Sequence, residues 1–383
     1  MSYVRVAFWI AAAVLAYTYV GYPLLIGILA RWRGRPVRKG TYQGSFSILI
    51  AAHNEERTID RRLTELLAQI HRTGLPAEIV VAADGCTDAT VEKAQRHPVR
   101  VLALDENVGK SAALTEAARL ATGDVLLFAD ARQTWADDAI PNLLGNFSDS
   151  DVGAVSGDLM LEAEPGVLAG VGLYWRFEKW LRKQESLIHS QVGVTGAIAA
   201  VRRHLFHPIP PGTVLDDVYW PLKVAMAGHR VVHDDSAHAF DRLPDRSSAE
   251  FRRKVRTLAG NFQLAALIPS SLVPWRNPVW MAWLSHKLSR LASPWALMTL
   301  AVTSALIGGP FFATVLAVQA TCYAVAIAGL TPVLKRSRLA GAAASFVVLN
   351  AAAWVAFWVW IFGRTGRSWR KTHYREPVET IAV

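Results

Sequence analysis

Three stretches of this sequence carry no charged residue over lengths that few soluble domains need. Val6–Ala30 and Leu339–Gly363 are each long enough to cross a bilayer, which takes roughly 20 apolar residues. Leu291–Leu330 is long enough to cross twice, with a break at Gly308–Gly309–Pro310. These segments explain why the hydrophobic fraction, 52%, is high for a soluble enzyme. Val6–Ala30 exceeds the apolar core of a secretory signal, about 7–15 residues, and lacks a clear small-x-small cleavage site, so it reads as an uncleaved anchor.

The net charge of +10 is concentrated beside these stretches. Arg31, Arg33, Arg35, Arg38 and Lys39 follow the first directly, the pattern of the positive-inside rule and of contact with anionic lipid rather than of nucleic-acid binding. This places the N-terminus outside and residues 36 to about 275 in the cytoplasm of a multi-pass protein of the cell (inner) membrane. Three further spans would carry the tail outside, although Arg364, Arg367, Arg370, Lys371 and Arg375 make it basic. The loop with Lys335, Arg336 and Arg338 is basic too, so either one apolar segment is re-entrant or interfacial, or the span count is wrong. Cys86 and Cys322 offer neither a disulfide framework nor a metal cluster. The spans so drawn contain no ionisable residue of the kind that marks ion pathways, which argues against a transporter.

From Ser45 the pattern changes to short apolar strands alternating with amphipathic helices. Strands are predicted at Phe46–Ala52, Glu78–Ala83, Arg100–Leu104 and Asp124–Ala129. Helices are predicted at Arg57–Ile70, Thr87–Gln95 and Lys110–Ala121. Such alternation argues for an α/β fold with a doubly wound, mostly parallel sheet. Ligands of such sheets bind beyond the carboxyl ends of the strands. The residues found there are polar: His53–Asn54–Glu55, Asp84–Gly85–Cys86–Thr87–Asp88 and Asp130–Ala131–Arg132. Thr87 or Asp88 also suits the N-cap of the next helix. Lys110 opens a helix, where a diphosphate would meet both its ammonium and the helix N-terminus.

The second half carries Gly196–Ala197, a proline-rich connector at Pro208–Gly212, and the adjacent acids Asp216–Asp217. Either acid could complement a helix N-terminus or act as a general base. Arg252, Arg253 and Arg256 share a helix face and could clamp phosphate or meet lipid headgroups. Trp135, Trp175, Trp180 and Trp220 could stack on sugar rings, though core or membrane-interface positions are the commoner use.

In this order the motifs resemble those of the membrane-embedded family 2 glycosyltransferases, with their GT-A nucleotide-binding fold, over about Ser45–Gln263. The flanking spans suit synthases of extracellular polysaccharides. The resemblance divides the chain into an anchor (1–35), a cytoplasmic GT-A domain (36–275), interfacial and transmembrane helices (276–365) and a basic tail (366–383). It implies inverting transfer of a hexosyl or N-acetylhexosaminyl group from a nucleotide diphosphate sugar, most often a UDP-sugar, to a growing cell-surface polysaccharide. Asp217 matches the catalytic base. Glu55 and Asp84 match nucleoside contacts, and Lys110, Asp130, Arg253 and Arg256 match the diphosphate side. Asp130 is also the expected ligand of a divalent cation, Mg2+ or Mn2+.

Three positions depart from the family pattern. Arg132 stands where the Asp-x-Asp motif has its second acid, and hard divalent cations sit badly beside an arginine. Cys86 replaces a commoner serine. Thr257 replaces the tryptophan of the Gln-x-x-Arg-Trp motif found in processive synthases. Two alternatives follow: single transfers onto a lipid-linked acceptor, or an inactive membrane scaffold.

Overall fold

The computed structural model describes residues 2–162, 169–242, 247–331 and 337–363. Lys335, Arg336 and the basic tail lie outside them. In chain order the strands are β1 (Phe46–Ala52), β2 (Ala77–Asp84), β3 (Arg100–Leu104), β4 (Val125–Asp130), β5 (Thr134–Trp135), β6 (Val152–Glu162), β7 (Ile198–Arg202) and β8 (Arg230–Arg242). The helices are α1 (Ser2–Ala16), α2 (Tyr22–Arg33), α3 (Ile59–Thr73), α4 (Thr90–Gln95), α5 (Lys110–Leu120), α6 (Ala139–Gly145) and α7 (Ala169–Ile188). They continue with α8 (Asp216–Met226), α9 (Ser247–Leu267), α10 (Trp280–Ala282), α11 (Ser289–Ile307), α12 (Pro310–Gly329) and α13 (Arg338–Ile361).

The eight strands of the described residues form one sheet, in the order β3-β2-β1-β4-β7-β6-β8-β5. Its first half is parallel, from β3 through β2 and β1 to β4. Strand β7 runs antiparallel to both β4 and β6, while β6 and β8 are parallel and β5 is antiparallel to β8. The sheet is therefore mixed, with its parallel pairs concentrated in the predicted α/β half. After β3 the chain crosses back to lay β4 on the other side of β1, so a topological switch point opens between β1 and β4.

Alternation along the strands sends apolar side chains to both faces. Ile48, Ile50, Val81, Val125 and Leu127 pack with Ile59 and Leu63 of α3 and Leu143 of α6. Leu49, Val80, Leu126 and Phe128 pack on the other face with Leu114 of α5 and Trp220 and Leu222 of α8. A strand covered on both faces reads as a continuous apolar run, which is why β1 and β4 were visible in the sequence.

Among the described residues, four helices are long and apolar enough to cross a membrane: Ser2–Arg33, Trp280–Ile307, Pro310–Gly329 and Leu339–Ile361. The first joins α1 and α2 through a π-helical turn at Tyr17–Gly21, and the second contains another at Trp283–Leu288. The two turns touch, the Tyr17 hydroxyl lying 2.7 Å from Ser285 Oγ. The second span starts at Trp280, earlier than the charge-free stretch suggests. It takes in His286, fully buried, together with Lys287 and Arg290. The expectation that the spans hold no buried ionisable residue is corrected here, because ion pairing with α7 lets charged residues continue the helix.

Candidate active site

The site gathers at the switch point. Asp84, at the end of β2, is 1% exposed and accepts hydrogen bonds from the Val108 amide at 2.7 Å and the Gly109 amide at 3.0 Å. It thereby fixes the loop that opens α5 at Lys110. The next residue must be glycine: Gly85 has φ +57°, and a Cβ there would stand 2.3 Å from the Asn107 backbone nitrogen. At the end of β1, Asn54 adopts the left-handed region with φ 54° and accepts from the Thr87 amide at 2.8 Å. Glu55 Oε2 accepts from Thr58 Oγ1 at 2.9 Å, and the Glu55 amide donates to Thr90 Oγ1. Asp88 accepts from the amides of Glu56 and Thr90, so its local capping role is present although α4 begins only at Thr90.

Lys110 is drawn across to β4, where its Nζ donates to Asp130 Oδ1 at 2.7 Å. The two side chains remain about one-third accessible, at 31% and 30%. Burial alone would lower the Lys110 pKa; Asp130, Asp216 and Asp217 together raise it. The acid pair sits at the start of α8. Desolvation, and then the Asp130 charge, raise Asp216. Desolvation and then Asp216 push Asp217 up to about 6, against the opposing pull of Lys110, Arg182 and Lys287.

Gly196, just before β7, lies between Asp217 and Lys110. A Cβ added there would lie 3.5 Å from Asp217 Cβ, 3.8 Å from Asp217 Oδ2 and 3.7 Å from Lys110 Nζ. These are ordinary contacts, so Gly196→Ala should fold normally. Its methyl would occupy space in front of Asp217. One misplaced methylene is worth roughly 1–3 kcal/mol of transition-state binding, so we expect turnover to fall about tenfold or more at an unchanged melting temperature. Parallel melting and turnover measurements check this.

Arg256 is close enough to Asp216 to lower its pKa, whereas Arg253 projects from a more exposed position on the same helix. Between them Val255 is buried with Ala259 against Ala352 and Ala356 of α13, and Phe262 stacks on Trp360 at 5.4 Å. The basic helix is thus seated on a membrane-type helix. Trp220 stacks on Phe128 in the core and Trp135 donates to the Ala197 carbonyl, while Trp180 is 41% exposed.

Arg132 turns to β8, its Nη2 bonding Asp241 Oδ2 at 2.7 Å, and Gln133 binds the same oxygen. Asp241 is a site-flanking acid that strand-end reasoning missed, because β8 pairs with β5 only in the folded sheet. For a divalent cation the fit is poor. Asp130 alone faces the switch point from its motif, one of its oxygens holds an ammonium, and a guanidinium follows two residues later. Among the described residues there is no group of three or more His, Cys, Asp and Glu arranged to hold a metal.

Residues 47–209 match the family model for glycosyl transferase family 2. The chain is 22% identical over 228 residues to a poly-beta-1,6-N-acetyl-D-glucosamine synthase of Staphylococcus aureus, covering 57% of this chain and 55% of the relative. It therefore spans about half the length of that curated relative. A shorter match of 97 residues, 40% identical, joins it to dolichyl-phosphate beta-glucosyltransferase of Drosophila melanogaster, covering 22% of this chain and 30% of the other. In fold it is similar to a mannosyltransferase from Pyrobaculum calidifontis solved with GDP-Man and Mn2+, with TM-score 0.70, 24% identity, and coverage of 94% of this chain and 99% of the other. Residues 47–209 are thus of the glycosyl transferase family 2 type, set in a chain with the fold of that mannosyltransferase.

Proposed function

We propose that the protein is an inverting glycosyltransferase that takes a sugar from a nucleoside diphosphate donor at the cytoplasmic face of a membrane. The observation that carries this reading is the position of Asp217, which meets over Gly196 the Lys110 ammonium that Asp130 holds; desolvation and Asp216 push its carboxyl up to about 6. A base near neutrality is matched to deprotonating a hydroxyl. In the proposed step Asp217 takes the acceptor proton as that oxygen attacks the anomeric carbon. The bond from this carbon to the diphosphate breaks, and its electron pair leaves with the nucleoside diphosphate. Inversion needs only this one carboxylate.

Lys110 supplies positive charge to the leaving diphosphate, with Arg256 and Arg253 on the helix beyond. Glu55 and the remaining lone pairs of Asp84 border the nucleoside. The expected Mg2+ or Mn2+ is supported by the Mn2+ named with the Pyrobaculum calidifontis mannosyltransferase, yet the residues around Asp130 do not make a divalent site, and no step is assigned to a cation. The likeness to a polysaccharide synthase supports assembly of a cell-surface glycan. Transfer to a lipid-linked acceptor is supported by the proximity of the acid pair to the apolar helices.

Incubating purified enzyme with labelled UDP- and GDP-sugars tests the reading: release of the nucleoside diphosphate from at least one donor is expected, and none from any would overturn it. Arg132→Asp should make turnover more dependent on divalent cations while nucleotide binding persists. Complete loss of parent activity with chelator would refute a charge-neutralising role for Arg132.

A further inference from the structure

The proline-rich connector ends in a tight turn over Pro210, Pro211, Gly212 and Thr213. The Thr213 amide donates to the Pro210 carbonyl at 3.2 Å, and the Thr213 hydroxyl donates to the same oxygen at 2.7 Å. Gly212 has φ +75°. Proline at the second position and a left-handed glycine at the third are what a type II turn favours, so the sequence itself sets the shape of this strap. The strap leads straight into α8, whose N-cap is Leu215. The Leu215 carbonyl accepts from the amides of Val218 and Tyr219 at 3.3 and 3.0 Å, and the Asp217 carbonyl accepts from the Val194 amide at 2.7 Å.

Two other helices hold the strap. On α5, Ser111 follows Lys110 directly and donates its hydroxyl to the Thr213 carbonyl at 2.6 Å, both residues being buried. Thr115, farther along the same helix, accepts from the Ile209 amide at 2.9 Å. On α9, Gln263 uses both ends of its side-chain amide: Oε1 accepts from the Val214 amide at 3.0 Å, and Nε2 donates to the Gly212 carbonyl at 2.9 Å. Only this orientation serves both partners, since one offers a donor and the other an acceptor. Gly260 lets α9 come this close, because a Cβ there would stand 2.6 Å from Leu215 Cγ. The same helix carries Arg253 and Arg256. The strap therefore ties together the helix of Lys110, the helix of the acid pair and the basic helix.

We propose that Gln263 is a positioning residue for sugar transfer: by clamping Gly212 and Val214 it holds the start of α8, and so the Asp217 carboxylate, in register with Lys110 and the basic helix. This rests on the glycosyltransferase reading and adds to it a residue that acts through the strap. The leverage is short. The turn before Val214 is fixed by its prolines and by its bonds to the Pro210 carbonyl, so slack at Val214 passes forward into Leu215 and α8. A displacement of roughly 1 Å in a reacting group can cost about 10²-fold in rate, which makes such a clamp worth more to turnover than to folding.

The test uses full-length enzyme in neutral detergent, with labelled UDP- and GDP-sugars as donors and amide hydrogen exchange read in parallel. Gln263→Met keeps the length of the side chain and removes both hydrogen bonds, while Ser111→Ala removes the bond from α5. In both variants exchange should quicken about tenfold at Val194, Val218 and Tyr219, whose amides bond the carbonyls of Asp217 and Leu215. Gln263→Met should also lower kcat about tenfold while the donor KM stays within about twofold, a split that a purely structural role would not give. Quickening that stays out of Val194, Val218 and Tyr219 in both variants, or an unchanged kcat in Gln263→Met where they do quicken, would overturn the proposal. Donor turnover in the parent with no such spread refutes this inference alone. A parent that turns over no donor, with the spread still seen, refutes the enzyme reading and leaves the clamp on the acid pair standing.

Discussion

Asp217→Asn should reduce sugar transfer by about 10²–10⁴-fold, the usual contribution of a positioned general base, and leave donor binding intact. The amide keeps the size and much of the hydrogen bonding of the carboxylate but cannot accept the proton. The parent should also show an acidic limb in kcat/KM with its midpoint at about 6, the value to which desolvation and Asp216 push this group. Below that pH the base is protonated and idle. The stability consequence has the opposite sign from most carboxylates. A raised carboxyl pKa means that its stabilising contribution is complete below the unfolded value of about 3.9 and is lost as pH rises through about 6. At neutral pH the charged form is the strained one, so Asp217→Asn should melt no lower than the parent. Activity loss with a preserved melting temperature separates chemistry from misfolding. Near-normal transfer by Asp217→Asn would remove the base assignment, and with it the reason to prefer the acid pair over simple helix capping.

The parallel half of the domain was legible because its signals are local. Strands β1 and β3 fall where the sequence puts them, at Phe46–Ala52 and Arg100–Leu104, since each is a compact run ended by polar or turn residues. The start of α4 was misjudged by three residues because Thr87 and Asp88 are engaged by Asn54 and Glu56 from another strand end. Strand β8 carries acids along its length, and Asp234, Asp235 and Asp241 are offset by Lys39, Lys183 and Arg132 from distant segments, which no local pattern could show. The acid pair could be picked out from the sequence, but its partner Lys110 stands about a hundred residues away and only the sheet brings them together. The Glu178–His286 contact, across 108 residues, was hidden for the same reason. One signal was available: Arg176, Lys179, Arg182 and Lys183 recur at helical spacing and lay a basic face along α7.

Lys110→Met should be nearly as damaging, and for two separable reasons. The ammonium on Asp130 Oδ1 is the nearest fixed positive charge to the strand end where the diphosphate is proposed to lie. Removing one donor from a charge-stabilising site typically costs about 10²–10³-fold in turnover. The second effect is indirect. Lys110 lowers both Asp216 and Asp217, so its loss lets desolvation raise them further. The acidic limb should therefore move above the parent's value of about 6, a shift that a purely structural role would not produce. Stability should fall as well. The Lys110 pKa is raised by its three acids, so its contribution is full below the unfolded value of about 10.4 and the variant lacks it throughout the neutral range. Lys110→Arg keeps the charge but not the compact ammonium, and should restore the limb to about 6 more fully than it restores turnover. If the pH profile of Lys110→Met overlays the parent's and turnover stays within about threefold, Lys110 carries neither the diphosphate nor the base. The proposed leaving-group charge would then have to come from Arg256 and its helix, a substitution series that the same two measurements can follow.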